Sequence, residues 1–95
     1  MVVIVLRFKV ADFKAWLEIF TSRIPMRRAA GCMSSRAFEA ADEPGTAVLM
    51  LEWDSRENYE RYAKTGFVQN FHDNPMILDE PDIYVLEERA NSEAT

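Results

Sequence analysis

Two eight-residue runs constrain this chain more than anything else in it: Val-Val-Ile-Val-Leu-Arg-Phe-Lys at 2–9 and Thr-Ala-Val-Leu-Met-Leu-Glu-Trp at 46–53. β-Branched and aromatic residues dominate the first and aliphatic residues the second, so both read as strands. Alternate strand residues point to opposite faces. In the first run Val2, Ile4, Leu6 and Phe8 share one side, and Val3, Val5 and Arg7 the other. Strands apolar on both sides sit in the middle of a sheet and need cover above and below. The chain has 95 residues, enough for one domain but only a thin core, because a domain of this size buries about 60–65% of its unfolded surface. A subunit partner is therefore a natural source of the second cover.

The remaining segments supply the order. Asp12 reads as an N-cap, followed by Phe13, Trp16, Leu17, Phe20 and Ile24 at helical spacing. Pro25 removes a donor and clashes with the preceding turn, so the helix kinks or restarts there, with residues 26–30 adding a turn or two. Gly31 suits the residue just past a helix end. Residues 32–39 form a more polar strand, expected at an edge. A turn over 41–45 joins it to the run at 46–53 as a hairpin. Asp54, with Glu57 three positions on, has capping-box spacing, and Tyr59, Tyr62 and Ala63 give the next helix its apolar stripe. Gly66 interrupts it, and Phe67, Val68 and Phe71 form a last helical piece that Asn74-Pro75 ends. Residues 82–88 make the final strand, and 90–95 a polar tail that frays.

The order β-α-β-β-α-β over residues 1–89 is the split βαβ pattern of the α+β ferredoxin-like fold, with a four-stranded antiparallel sheet and both helices on one face. The other face then offers Val3, Val5, Val48 and Met50 to solvent, and an apolar face of that size calls for cover. A homodimer packed sheet to sheet, closing an α/β barrel, provides it. Arg7 and Glu52 interrupt that face and are expected to be paired there.

Charge and composition narrow the partners. Eleven Lys+Arg against sixteen Asp+Glu give a net charge of −5, which opposes binding to nucleic acid or an anionic membrane surface. An RNA-recognition module shares this element order but needs exposed aromatics on the free sheet face and basic flanks, where this chain has Val48 and Met50. The single cysteine, Cys32, permits no intrachain disulfide and fits a reducing compartment. The apolar start, residues 2–6, is too short for a signal sequence or a membrane span, so a cytoplasmic location is expected. One histidine cannot build a histidine-only metal site, and no phosphate loop or nucleophile elbow is present.

Few residues carry chemistry. His72 is the only histidine, the residue type that normally titrates near neutrality, and on a helix it would share a face with Val68, so it reads as a general acid or base, or as a helix-end histidine beside Asp73. Tyr59 and Tyr62 lie three apart; either hydroxyl could orient a phenolic or carbonyl substrate, or sit at the rim of ordinary packing. Trp53 either stacks on a flat ligand or plugs the core. Arg36 holds an acidic ligand, pairs with a carboxylate, or extends to solvent. Cys32 has no motif that brings His72 beside it. Met26, Met33, Met50 and Met76 suit either an adaptable cavity wall or plain packing.

Three stretches resemble the antibiotic biosynthesis monooxygenase type of the dimeric α/β-barrel superfamily. They are Phe8-Lys9-Val10-Ala11-Asp12-Phe13-Lys14-Ala15-Trp16, Ala29-Ala30-Gly31, and Leu51-Glu52-Trp53-Asp54-Ser55-Arg56-Glu57. The resemblance implies a homodimer with a ligand between each sheet and its own helices, and an enzyme that works without a bound cofactor. The expected substrate is a small apolar, aromatic or polyketide-like molecule, and the reaction oxygenation, cyclisation or isomerisation. In that reading His72 or Tyr62 moves protons, Arg36 and Tyr59 help bind substrate, and Trp53 stacks. The stretch Asn58-Tyr59-Glu60-Arg61-Tyr62 lacks the histidine that monooxygenase-type members often carry, which leaves a non-catalytic binding or stress-related module as the alternative. An enzyme site of this design would gather His72, Tyr62 and Trp53 around one cavity of about 300 Å³ or more.

Overall fold

In the computed structural model, which describes residues 2–67 and 74–92, the elements run in the expected order. They are β1 (Val2–Lys9), α1 (Phe13–Ser22), α2 (Ile24–Ala30), β2 (Cys32–Glu39), β3 (Thr46–Trp53), α3 (Arg56–Tyr62) and β4 (Asp82–Glu87), with a π-helical turn over Ala63–Phe67 after α3. The strands form one antiparallel sheet in the order β2-β3-β1-β4. The two strongly apolar runs are its central pair, from Val2 opposite Trp53 to Lys9 opposite Thr46.

Local chemistry sets the element ends. The Asp12 side chain accepts the Ala15 backbone N–H at 3.1 Å, capping α1. Pro25 restarts the helix as expected. It falls in the first turn of α2, where its missing N–H costs nothing, and Arg23 forms the joint between α1 and α2. Gly31 closes α2 at φ 116, and a side chain there would strain the backbone and approach the Asp54 carboxylate to 2.8 Å. The start of α3 corrects the expected capping box. Ser55, not Asp54, is the N-cap, accepting the Asn58 N–H at 3.1 Å. The Asp54 carboxylate instead accepts the Asn58 side-chain amide at 2.9 and 3.1 Å. The expected last helical piece lies largely at residues 68–73, outside the described residues. Asp12→Ala should lower unfolding free energy by about 1 kcal/mol in a urea titration, because one helix-end donor loses its partner.

Burial sorts the two sheet faces as the alternation requires. Ile4, Leu6, Phe8, Leu49, Leu51 and Trp53 are all within 2% of complete burial under the helices. Trp16 and Phe20 of α1 and Tyr59 of α3 pack onto them. Opposite residues of paired strands share a face, so Met50, Val5 and Tyr84 form one row across the uncovered side. Phe38 and Val48 lie in another, and Val3 and Leu86 in a third. On this side Phe38, Tyr84 and Leu86 are exposed. Arg7 is paired within its own chain, to Asp82 at 3.4 Å and Glu43 at 3.8 Å.

Candidate active site

Among the described residues a cavity of about 170 Å³ lies between α1, α2, the end of α3 with Thr65 after it, β3, and the segment at Asn74 and Ile77. Leu49 and Leu51 make its floor, Trp16 and Phe20 one wall, and Arg27 and Tyr62 two more. The apolar walls follow from the sequence pattern. Leu49 and Leu51 alternate on the inward side of β3, and Trp16 and Phe20 are a turn apart on α1, their rings stacked at 5.3 Å between centroids. A cavity of about 150 Å³ with aliphatic and aromatic walls is enough for one benzene-sized ring. The enclosed space therefore suits a single aromatic ring, and a larger substrate must project from it.

Tyr62 is the sequence-identified residue that reaches this cavity. Burial pushes its phenol above the ordinary tyrosine value of 10.0, while the Arg27 and Arg23 guanidiniums pull it back and Cys32 adds slightly to the rise. At neutral pH the hydroxyl therefore keeps its proton and acts as a donor. Trp53 stands behind Tyr62, 5.2 Å between ring centroids, and is fully buried. It braces the site without lining it, so of its two sequence readings the structure places it in the core, and the cavity of about 170 Å³ falls short of the about 300 Å³ gathering of His72, Tyr62 and Trp53 that the sequence reading called for. Tyr59 lies beyond, edge-on to Trp53 at 5.8 Å, also buried, its phenol raised by desolvation and then by Glu60.

Arg36 lies elsewhere. It sits opposite Met50 on the uncovered side of the sheet, exposed, with its guanidinium 5.0 Å from the Phe38 ring centroid. One residue of alternation sends it away from the helices, since a bulge near Met33 sets the pairing of β2. His72 lies outside the described residues. Of the methionines, Met26 reaches the cavity edge. Cys32 is buried, its thiol donating to the Ser34 carbonyl at 3.2 Å. Among the described residues no His, Cys, Asp and Glu cluster could hold a metal ion, and no helix is long and apolar enough to cross a membrane.

The residue that sequence reasoning missed is Arg27. It sits in a basic pair, Arg27-Arg28, that reads as surface. Yet the stripe Trp16, Phe20, Ile24 continued by three residues lands on Arg27, and the side chain is 4% exposed. Burial lowers its pKa, with Arg23 adding to the fall and Tyr62 and Cys32 opposing it. Arginine nonetheless stays charged in proteins.

Comparison with known proteins adds a family and a fold. The family model described as antibiotic biosynthesis monooxygenase matches residues 1–74. No curated protein sequence matches the chain. Among solved structures, Rv0793 from Mycobacterium tuberculosis superposes with a TM-score of 0.74 at 22% identity, covering 97% of this chain and 98% of that one. A conserved protein from Methanosarcina mazei gives 0.76 at 14%, covering 93% and 92%. The monooxygenase ActVA-Orf6 of Streptomyces coelicolor, solved with nanaomycin D, gives 0.70 at 13%, covering 99% and 92%. At these identities the likeness is one of fold.

Proposed function

The chain belongs to the antibiotic biosynthesis monooxygenase family, and from that premise we propose that it is a small homodimeric oxygenase acting without a bound cofactor on a flat, largely apolar ring compound. One observation carries this reading: an aromatic-walled cavity of about 170 Å³ with a protonated tyrosine, Tyr62, on its lining. The complex of ActVA-Orf6 with nanaomycin D supports a small-molecule ligand for this fold. Here the enclosed volume limits the buried portion to about one ring.

The chemistry suited to such a site is oxygenation of an activated ring methylene. Once the substrate has lost a proton to become an enolate, it can give electrons to dioxygen directly. The CH2 carbon becomes a carbonyl, one oxygen atom of O2 enters the product, and the other leaves as water with the two hydrogens. No outside reductant is needed. The Tyr62 hydroxyl would donate to the enolate oxygen, steadying the charge. His72, outside the described residues, remains the proposed proton acceptor. Trp53 packs behind Tyr62, and Tyr59 packs against Trp53.

A direct test uses 1,3-indandione, a flat compound whose ring methylene lies between two carbonyls. Protein-dependent uptake of one O2 for each molecule of trione formed is the expected result. Tyr62→Phe should lower turnover about a hundred-fold, the usual cost of one donor to a developing oxyanion. Binding without O2 uptake, for this probe and for larger ring ketones, would favour the non-catalytic binding module instead.

A further inference from the structure

Among the described residues Arg27 has no counter-charge. Arginine is rarely this buried unless it is paired with a carboxylate. Here Nε donates to the Ser35 hydroxyl at 3.2 Å and Nη2 to the Phe20 carbonyl at 3.1 Å, both neutral groups. The guanidinium carbon lies 4.1 Å from the centroid of the Phe20 ring, again a neutral partner. Among the described residues no carboxylate forms an ion pair with it. Nη1 takes part in neither hydrogen bond. The charged or titratable neighbours are Tyr62 on α3, Cys32 on β2 and Arg23 at the α1–α2 joint. Burial raises the Tyr62 phenol, so it is no anion at neutral pH, the Cys32 thiol donates to the Ser34 carbonyl, and Arg23 adds a second positive charge on the same cavity.

A buried cation is costly unless something negative meets it. The open side of this one is the cavity, and the protein supplies no negative group there among the described residues. We infer that the cavity takes its ligand as an oxyanion, with Arg27 holding the negative oxygen of a phenolate or enolate whose ring lies against Trp16 and Phe20. The inference rests on the cavity being the ligand site. It adds the charge state of the ligand and the residue that selects it. It also explains why α2 places an arginine, rather than an apolar residue, on the continuation of the α1 stripe. A purely structural role is the competing account, since the bond to the Phe20 carbonyl ties Arg27 to the last turn of α1. The two accounts differ in what they expect of ligand charge.

The probes are 4-nitrophenol and nitrobenzene, two flat single-ring compounds that differ in the ionisable hydroxyl and that neither consume nor need O2. With the intact 95-residue chain, the phenolate should bind at least about ten-fold more tightly than nitrobenzene, the worth of one hydrogen bond to a charged group. The bound phenol should ionise at lower pH than the free one, read from the phenolate absorbance. Arg27→Met should keep nitrobenzene binding and abolish both the preference and the shift. If that variant does not fold, the comparison of the two probes on the unaltered protein decides alone. Nitrobenzene binding as tightly as the phenolate, or a bound phenol that ionises at higher pH than in water, would overturn the anion assignment and leave the cavity reading standing. Failure of both probes to bind would remove the cavity reading and this inference together.

Discussion

Val5→Asp should turn a dimer of twice 11.0 kDa into a folded monomer in sedimentation equilibrium. Val5 lies at the centre of the uncovered sheet face, between Met50 on β3 and Tyr84 on β4. Phe38, Tyr84 and Leu86 on the same face are 40, 56 and 44% exposed in the single chain. Contiguous apolar surface of this kind marks an association site, and a twofold axis would set two such faces together. In that arrangement an aspartate at position 5 occurs twice, each time in an apolar interface without a partner. Each unpaired buried carboxylate costs several kcal/mol, so dissociation should strengthen by at least about a thousand-fold. In the single chain Val5 is half-buried, so the fold should survive, visible as an unchanged far-ultraviolet circular dichroism spectrum. A wild-type mass of one chain, or a Val5→Asp protein that keeps the dimer mass, would refute the sheet-to-sheet assembly.

The same face shows how far the sequence is legible. Alternation in residues 2–9 and 46–53 is enough to place Val3, Val5, Val48 and Met50 on one side, because these two strands pair without a bulge and keep the period of two throughout. Asp12, Pro25 and Gly31 mark helix ends through their own backbone chemistry, and each does so in the structure. Two things escaped. The face taken by Arg36 depends on a bulge near Met33, and a bulge shifts parity without a sequence signal. Arg27 lies on the continuation of the α1 stripe, but its burial depends on how α2 is set against α1 after the break at Arg23, a tertiary angle that the stripe alone does not fix. The cavity itself is a gap left between several elements. Its walls are individually predictable core residues, but the absence of anything between them is a property of their assembly.

Trp53→Ala should be the most destabilising single change at the site. Trp53 is completely buried, lies opposite both Val2 and Cys32 in the sheet, and touches the rings of Tyr59 and Tyr62. Truncating a buried tryptophan costs about 3–5 kcal/mol, a fall of roughly 15–30 °C in Tm for a domain of this size. The comparison should be run at fixed protein concentration, because the dimerisation expected here would also contribute to the midpoint. Trp53→Phe separates bulk from polarity. The indole N–H has no hydrogen-bond partner among the described residues, and a buried donor left unmade is itself a cost. Phenylalanine removes that donor and keeps a ring against Tyr62, so it should lose less than half of what alanine loses. It should also preserve binding of 4-nitrophenolate, whereas alanine should weaken that binding although Trp53 does not line the cavity. Equal losses for the two variants would show that the ring bulk is not what holds Tyr62 in position, and the bracing role assigned to Trp53 would fall.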